Sequence, residues 1–275
     1  MRQSAILQFV VSLVVLSVVA LAIPAHAADD ASGIAAARQR GTLVVGLSYP
    51  LPAYVAGVKF RTPESPESRL SEALATALKL PLGTPRVSAV NVAQALAAGR
   101  ADLMLMLVSE GDPAPANVAL LPTGYSAGAM AIMRSDTNIK RWDQLKGRTV
   151  CLSQGGAYVG KMAAQYGAIE KVQRAPADTL LSLRIGACDA AVLDDTMLNE
   201  LLKLPEWKKF SARLPVTSRQ NLVFAVRADD GATITYLKQQ SASWASSGFW
   251  AALKKKWVNN VAFEVYLDQN VPDCH

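Results

Sequence analysis

Two acids in succession, Asp194 and Asp195, close the apolar run 189–193. A carboxylate at the end of a half-buried strand is costly unless something positive meets it, so Asp194 calls for a cationic partner. Its other reading is the N-cap of the segment that follows. Tyr49 and Tyr54 flank a loop after the apolar run 42–47. They offer ring faces for stacking or cation–π contact, or else pack beneath their own loop. Ser109 and Glu110 follow the apolar stretch 101–108, with Asp112 and Pro113 behind them. There, acids lean toward a cation or a neutral polar ligand, while a solvated turn opened by Asp112 is the competing reading. Gly155, Gly156 and Ala157 form a glycine turn after the run 149–153, where free backbone N–H groups could face a ligand.

Other chemistry is excluded by composition. The chain has only two histidines, His26 and His275. Residues 1–27 read as a secretory leader: Arg2, an apolar run over 5–23, Pro24, then Ala25-His26-Ala27 as a small-x-small cleavage pattern. A retained anchor helix is the alternative. Cleavage near Ala27 leaves His275 alone, so neither a zinc site nor a Ser-His-Asp arrangement is expected, and no cofactor is called for. The three cysteines, Cys151, Cys188 and Cys274, are too widely spaced for a metal set, and export favours a disulfide. The net charge of +6 is spread along the chain. Lys254-Lys255-Lys256 suits the last turn of a helix, so no nucleic-acid partner is expected.

The elements that must position these residues alternate. Strands are expected at 42–47, 86–90, 101–108, 128–133, 149–153, 189–193 and 221–227, and helices at 70–78, 91–98, 179–185 and 234–259, the last broken at Gly248. Strands alternating with helices imply parallel βαβ units and open α/β sheets. The pattern restarts near residue 128, so two lobes of similar design are expected: 40–127 with 226–275, and 128–225 inserted between them. In such sheets ligands bind beyond the carboxyl ends of the strands, where all the candidate residues fall.

The order of these segments resembles the periplasmic solute-binding protein family 3, which serves amino-acid importers. "RGTLVVGLS" (40–48), "LSEALATAL" (70–78), "ALAAGRADLML" (95–105), "WDQLKGRTVCLSQGG" (142–156), "LRIGACDAAVLDD" (183–195) and "SSGFWAALKKKW" (246–257) follow the family's sequence of elements. The resemblance implies a two-lobe fold joined by two hinge strands near 127–133 and 223–227, closing on a solute in the cleft. It implies that Asp194 meets a ligand amino group and that Tyr49 or Tyr54 supplies the aromatic wall. Gly155-Gly156-Ala157 then stands for a turn that usually carries two hydroxyls. Cys151 and Cys188 fall on neighbouring strands of the second lobe and form one disulfide candidate; a clamp from Cys274 to either is the other.

The departure from the family is as informative as the match. An arginine that would fork onto a ligand's α-carboxylate is expected near Ala114, where the chain has Pro113 and Pro115. Arg61, Arg69 and Arg134 are the possible substitutes. A buried carboxylate without such a partner costs several kcal/mol, so a standard amino acid held in the standard way is not expected. The leading expectation is a monomeric periplasmic protein, soluble after leader cleavage, that captures a small polar solute, amino-acid-like or amine-bearing, for an ABC permease. Two alternatives stay open: an accessory protein of a periplasmic quinoprotein dehydrogenase, as members resembling this family are, and a dehydratase on the same scaffold.

Overall fold

A computed structural model describes residues 32–50, 56–57, 59–64 and 66–269. The expected leader, Tyr54, Cys274 and His275 lie outside the described residues. The first part runs α1 (Gly33–Arg40), β1 (Leu43–Leu47), α2 (Glu67–Leu78), β2 (Leu82–Gly83), α3 (Val92–Ala97) and β3 (Leu103–Ser109). β1 reads Leu-Val-Val-Gly-Leu and is buried at four of five positions, as a strand covered on both faces requires. It lies parallel to β2 and to β3. Asp102 fixes the entry to β3: its carboxylate accepts the Val44 N–H at 2.7 Å and pairs with Arg40 at 2.5 Å.

The chain continues through β4 (Val118–Met133), β5 (Thr149–Ser153), α4 (Lys161–Tyr166), β6 (Ile169–Gln173), α5 (Pro176–Arg184), β7 (Ala190–Asp194), α6 (Asp195–Leu201), β8 (Ala212–Arg213), β9 (Thr217–Arg227), α7 (Gly231–Ser246) and α8 (Phe249–Leu267). The strands form one curled mixed sheet in the order β2-β1-β3-β9-β4-β7-β5-β6, with β8 beside β4. The two ends repeat one design. β2-β1-β3 are parallel and flanked by antiparallel β9; β6-β5-β7 are parallel and flanked by antiparallel β4. β4 and β9 run antiparallel to each other through the middle and carry the chain between the two lobes. Residues 223–227 pair with β3 and with 118–122 of β4, inside the first half, and the passage between halves falls at 217–221 opposite 126–129.

Several expectations need correction. Residues 86–90 do not form a strand. Arg86 makes a single bridge to Leu47, after which Ala89–Asn91 turns as a 3-10 helix into α3, leaving Val90 exposed. β4 begins ten residues earlier than 128, because Pro122 and Gly124 hid it: both weaken strand propensity, and here they mark a bulge. β6 was not foreseen because it is a largely exposed strand with no apolar run. The helix expected over 234–259 runs on past Phe263 to Leu267. The 226–275 segment divides its contacts: α7 lies on β4, and α8 lies against α5 and α6 as well as α7. One apolar core accordingly passes from Leu47 and Leu70 through Trp257 and Val261 to Leu183 and Trp207.

Cys151 on β5 and Cys188 just before β7 form a disulfide, with Cα atoms 5.9 Å apart. That distance lies in the middle of the usual range.

Candidate functional site

Besides Ala89, five parts of the chain converge on one space of about 210 Å³. Ser48 and Tyr49 follow β1, Met106 and Leu107 belong to β3, Gly155 to Ala157 follow β5, Asp194 ends β7, and Glu64 and Glu67 come from the start of α2 and the segment before it. The cavity is thus lined by strand ends of both halves of the sheet, the position at which open α/β sheets hold ligands.

Asp194 is 7 % exposed and its two oxygens are held by tyrosine hydroxyls: Tyr125 donates to Oδ2 at 2.8 Å and Tyr158 to Oδ1 at 2.7 Å. Asp194 does stand at the N-cap position of α6, but its side chain makes no capping bond there. Burial pushes the Asp194 carboxyl up, the two tyrosine bonds pull it down, and the neighbouring Asp195 charge raises it again. Tyr125 and Tyr158 are both held far above the ordinary phenol value, first by burial and then by the Asp194 charge, so they remain hydroxyl donors. Asp195 faces another way, accepting the Gly128 N–H at 2.8 Å and pairing with Arg219 at 2.8 Å.

The β4 bulge puts Tyr125 in place. Thr123 Oγ1 donates to the Leu222 carbonyl and accepts the Tyr125 N–H, while Gly124 adopts φ +93°. A side chain at Gly124 would also meet the Trp250 indole at 3.0 Å. Glycine answers both demands.

Glu64 was not foreseen. It is 4 % exposed, and its Oε1 has no hydrogen-bond partner. Burial drives its carboxyl well above the ordinary glutamate value of 4.5, and the Asp194 charge adds to the rise. Hydrogen bonds from the Ser153 side chain and the Asp194 backbone offset only part. The segment 59–64 delivers it. Trp257 Nε1 donates to the Pro63 carbonyl at 2.7 Å, and Thr62 donates to Glu264 from both its N–H and its hydroxyl, at 3.0 and 2.7 Å. Arg61 pairs with Asp178 of α5 at 3.0 Å and with Asp268, which also takes Lys59. In the sequence, Glu64 is one acid in a proline-flanked polar connection, and no local signal marks it as buried.

The glycine turn closes on these groups. A Cβ at Gly156 would lie 2.5 Å from Glu64 Oε2, and one at Gly155 would lie 2.3 Å from the Tyr49 ring. Gly155, at φ +79° against the Tyr49 ring, leaves no room for a side chain, whereas at Gly156 a Cβ would displace Glu64 and stand 3.0 Å from the Ser153 carbonyl. Tyr49 forms a wall, with the Arg86 guanidinium over its ring at 5.5 Å.

Of the residues expected at the site, Tyr49, Gly155, Gly156, Ala157 and Asp194 meet here. Tyr54 lies outside the described residues. Ser109 and Glu110 are corrections. Neither lines the cavity, because β3 ends in a solvated turn in which Asp112 accepts the Ser109 N–H at 2.8 Å and Glu110 is exposed. None of the three candidate arginines enters the cleft: Arg61 is paired as above, Arg69 pairs with Glu72 on α2, and Arg134 pairs with Asp136 at the surface. The described lining holds three acids, Glu64, Glu67 and Asp194, and no lysine, arginine or histidine. A roomier groove, about 360 Å³, runs between α2 and α8, away from the strand ends.

No protein-family model matches the chain, and no curated protein does. Solved structures do. The P235GK mutant of ArgBP from T. maritima is 22% identical, with 82% of this chain and 99% of that one covered at a TM-score of 0.55. The ancestral cationic amino acid solute binding protein AncCDT-1 is 19% identical over 82% of this chain and 99% of that one, at 0.56. The GluR0 ligand-binding core in complex with L-glutamate is 16% identical over 79% and 98%, at 0.51. The fold is that of the two-lobe periplasmic binding proteins.

Proposed function

We propose that this protein is a periplasmic solute-binding protein that captures a small polar solute in the cleft between its lobes and presents it to an ABC importer. The observation that carries the reading is the cavity itself: strand ends of both halves line it, and Asp194 stands at its wall already oriented by two tyrosines. Pre-oriented polar groups in a small, mostly apolar enclosure are what a solute site requires. Its solved structural neighbours include proteins named for solute binding, such as the ancestral cationic amino acid solute binding protein AncCDT-1, which supports the same reading.

Thermal unfolding across a panel of amino acids, amines, sugars and organic acids tests it. A ligand that binds only the folded state raises Tm, by the equivalent of about 2.7 kcal/mol at a hundred times its Kd. A flat panel, together with no small molecule released from the natively purified protein, would sink the proposal.

A second reading, an accessory protein that partners a periplasmic dehydrogenase, draws on a different observation. The Arg61–Asp178 pair and the packing of α8 on α5 and α6 tie the two lobes together behind the cleft. A protein that stays closed would serve better as a docking partner than as a carrier. Scattering profiles unchanged by a bound ligand would favour it over transport.

A further inference from the structure

We infer that the cleft selects an organic cation that bears no carboxylate, an amine or guanidine, and that Glu64 is the residue that sets this preference. The inference rests on the solute-site reading above and names the class of solute. Its ground is an imbalance at the wall of the cavity. Among the described residues, three acids line it, Glu64, Glu67 and Asp194, and no basic side chain does. Asp194 has both oxygens engaged by Tyr125 and Tyr158, whereas Glu64, 4 % exposed, keeps Oε1 without a partner. A buried carboxylate oxygen left unpaired is a strong demand for a donor, and two carboxylates that share one enclosure are best satisfied by a donor with positive charge.

The rest of the cavity fits the body of such an ion. Tyr49 offers a ring face, and Met106, Leu107 and Ala157 give apolar surface for an alkyl chain. Among the described lining residues a ligand carboxylate meets no basic side chain. The turn after β3 is solvated, and Arg86, an exposed residue, donates from Nε to the Ser48 carbonyl at 3.3 Å with its guanidinium 5.5 Å from the Tyr49 ring centroid. Placing a carboxylate beside Glu64 and Asp194 would add repulsion to desolvation. The volume of about 210 Å³ suits a short chain rather than a peptide. A divalent metal is the other cation an acidic wall could hold, but the described residues contain no group of three metal-ligating side chains in reach of one another.

Matched pairs decide the matter. Calorimetric titration of the full-length mature protein, freed of co-purifying solute, would compare putrescine with ornithine and agmatine with arginine; each pair differs by one carboxylate. The carboxylate-free member is expected to bind at least about tenfold more tightly, a 1.4 kcal/mol preference. Glu64→Gln, which keeps the shape, is expected to abolish most of that preference while leaving the circular dichroism spectrum intact. Glu64→Asp is expected to retain part of it, which a purely structural role would not produce. Tighter binding of ornithine or arginine would overturn the inference and leave solute capture standing, as would an unchanged preference in Glu64→Gln. Calcium binding with no response to either amine would overturn it too. Silence toward all four organic probes and toward the wider panel would remove both the inference and the function beneath it.

Discussion

β3 and β7 occupy equivalent places in the two halves of the sheet, each the third strand of a parallel trio, yet their carboxyl ends differ in burial and in partners. β7 ends in Asp194, buried and held by two tyrosines brought from β4 and from the turn after β5. β3 ends in Ser109, Glu110 and a turn closed by Asp112, open to water. One end presents a buried carboxylate to the cavity; the other presents its acids to water. The first half contributes instead through Glu64, which arrives from a connecting segment and not from a strand end. Equivalent topology therefore fixes where a site can be, while side chains decide which half of it is used.

The sharpest way to break this comparison is to empty the β7 end. Asp194→Ala is expected to weaken solute affinity by about 2–5 kcal/mol, the usual loss when one partner of a buried hydrogen-bonded charge contact is removed. Titration with whichever solute the panel identifies reads it directly; unchanged affinity would mean that the β7 end is not the seat of recognition.

A smaller effect lies in the pH dependence of the solute-free protein. The groups facing Glu64 are Asp194 from β7, Tyr125 from β4, Tyr158 after β5 and Glu67 on α2. Because the folded Glu64 carboxyl titrates well above 4.5, its value when unfolded, the folded chain holds the proton more tightly, and Asp194 acts in the same sense. Stability then falls as pH rises above about 4.5 toward the folded value, by at most about 1.4 kcal/mol per pH unit for one proton. Asp268, lowered by Lys59 and Arg61, acts oppositely, but below its ordinary 3.8. Denaturant midpoints measured from pH 5 to 8 should slope downward in the wild type and flatten in Glu64→Gln. Parallel slopes would show that Glu64 does not carry the proton.

The smallest effect belongs to the β3 end. Glu110→Gln is expected to change neither solute affinity nor stability beyond about 0.5 kcal/mol, as for other exposed positions without a partner network. A tenfold loss of affinity would restore the β3 turn to the site and erase the asymmetry between the two halves.

Much of this architecture is legible in the sequence because it is local. Buried parallel strands such as 43–47 and 190–194 read as short apolar runs, their helices as periodic ones, and the end of β7 as a paired acid. The disulfide pairing was open to two answers, and only the side-by-side strands β5 and β7 decide it. The first stretch of β4 was hidden by Pro122 and Gly124, residues that argue against a strand everywhere except at a bulge. Glu64 was hidden for another reason. Thr62 and Glu264, whose bond helps to hold its segment, are 202 residues apart, and no window along the chain contains both. Sequence patterns report faces and caps; they do not report which distant helix presses a loop into a cleft.

That long-range tie has a consequence for the order in which the protein comes into being. α8 leaves the ribosome after every other described element, and it carries Trp257 and Glu264, which grip the segment behind Glu64. Contacts at such separation carry a large loop-closure cost and slow folding. Until α8 is complete, the segment that carries Glu64 lacks the bonds that hold it, whereas the tyrosines that hold Asp194 lie earlier in the chain. The C-terminal helix, far from the cavity in sequence, thus decides where one of the cavity's buried carboxylates stands.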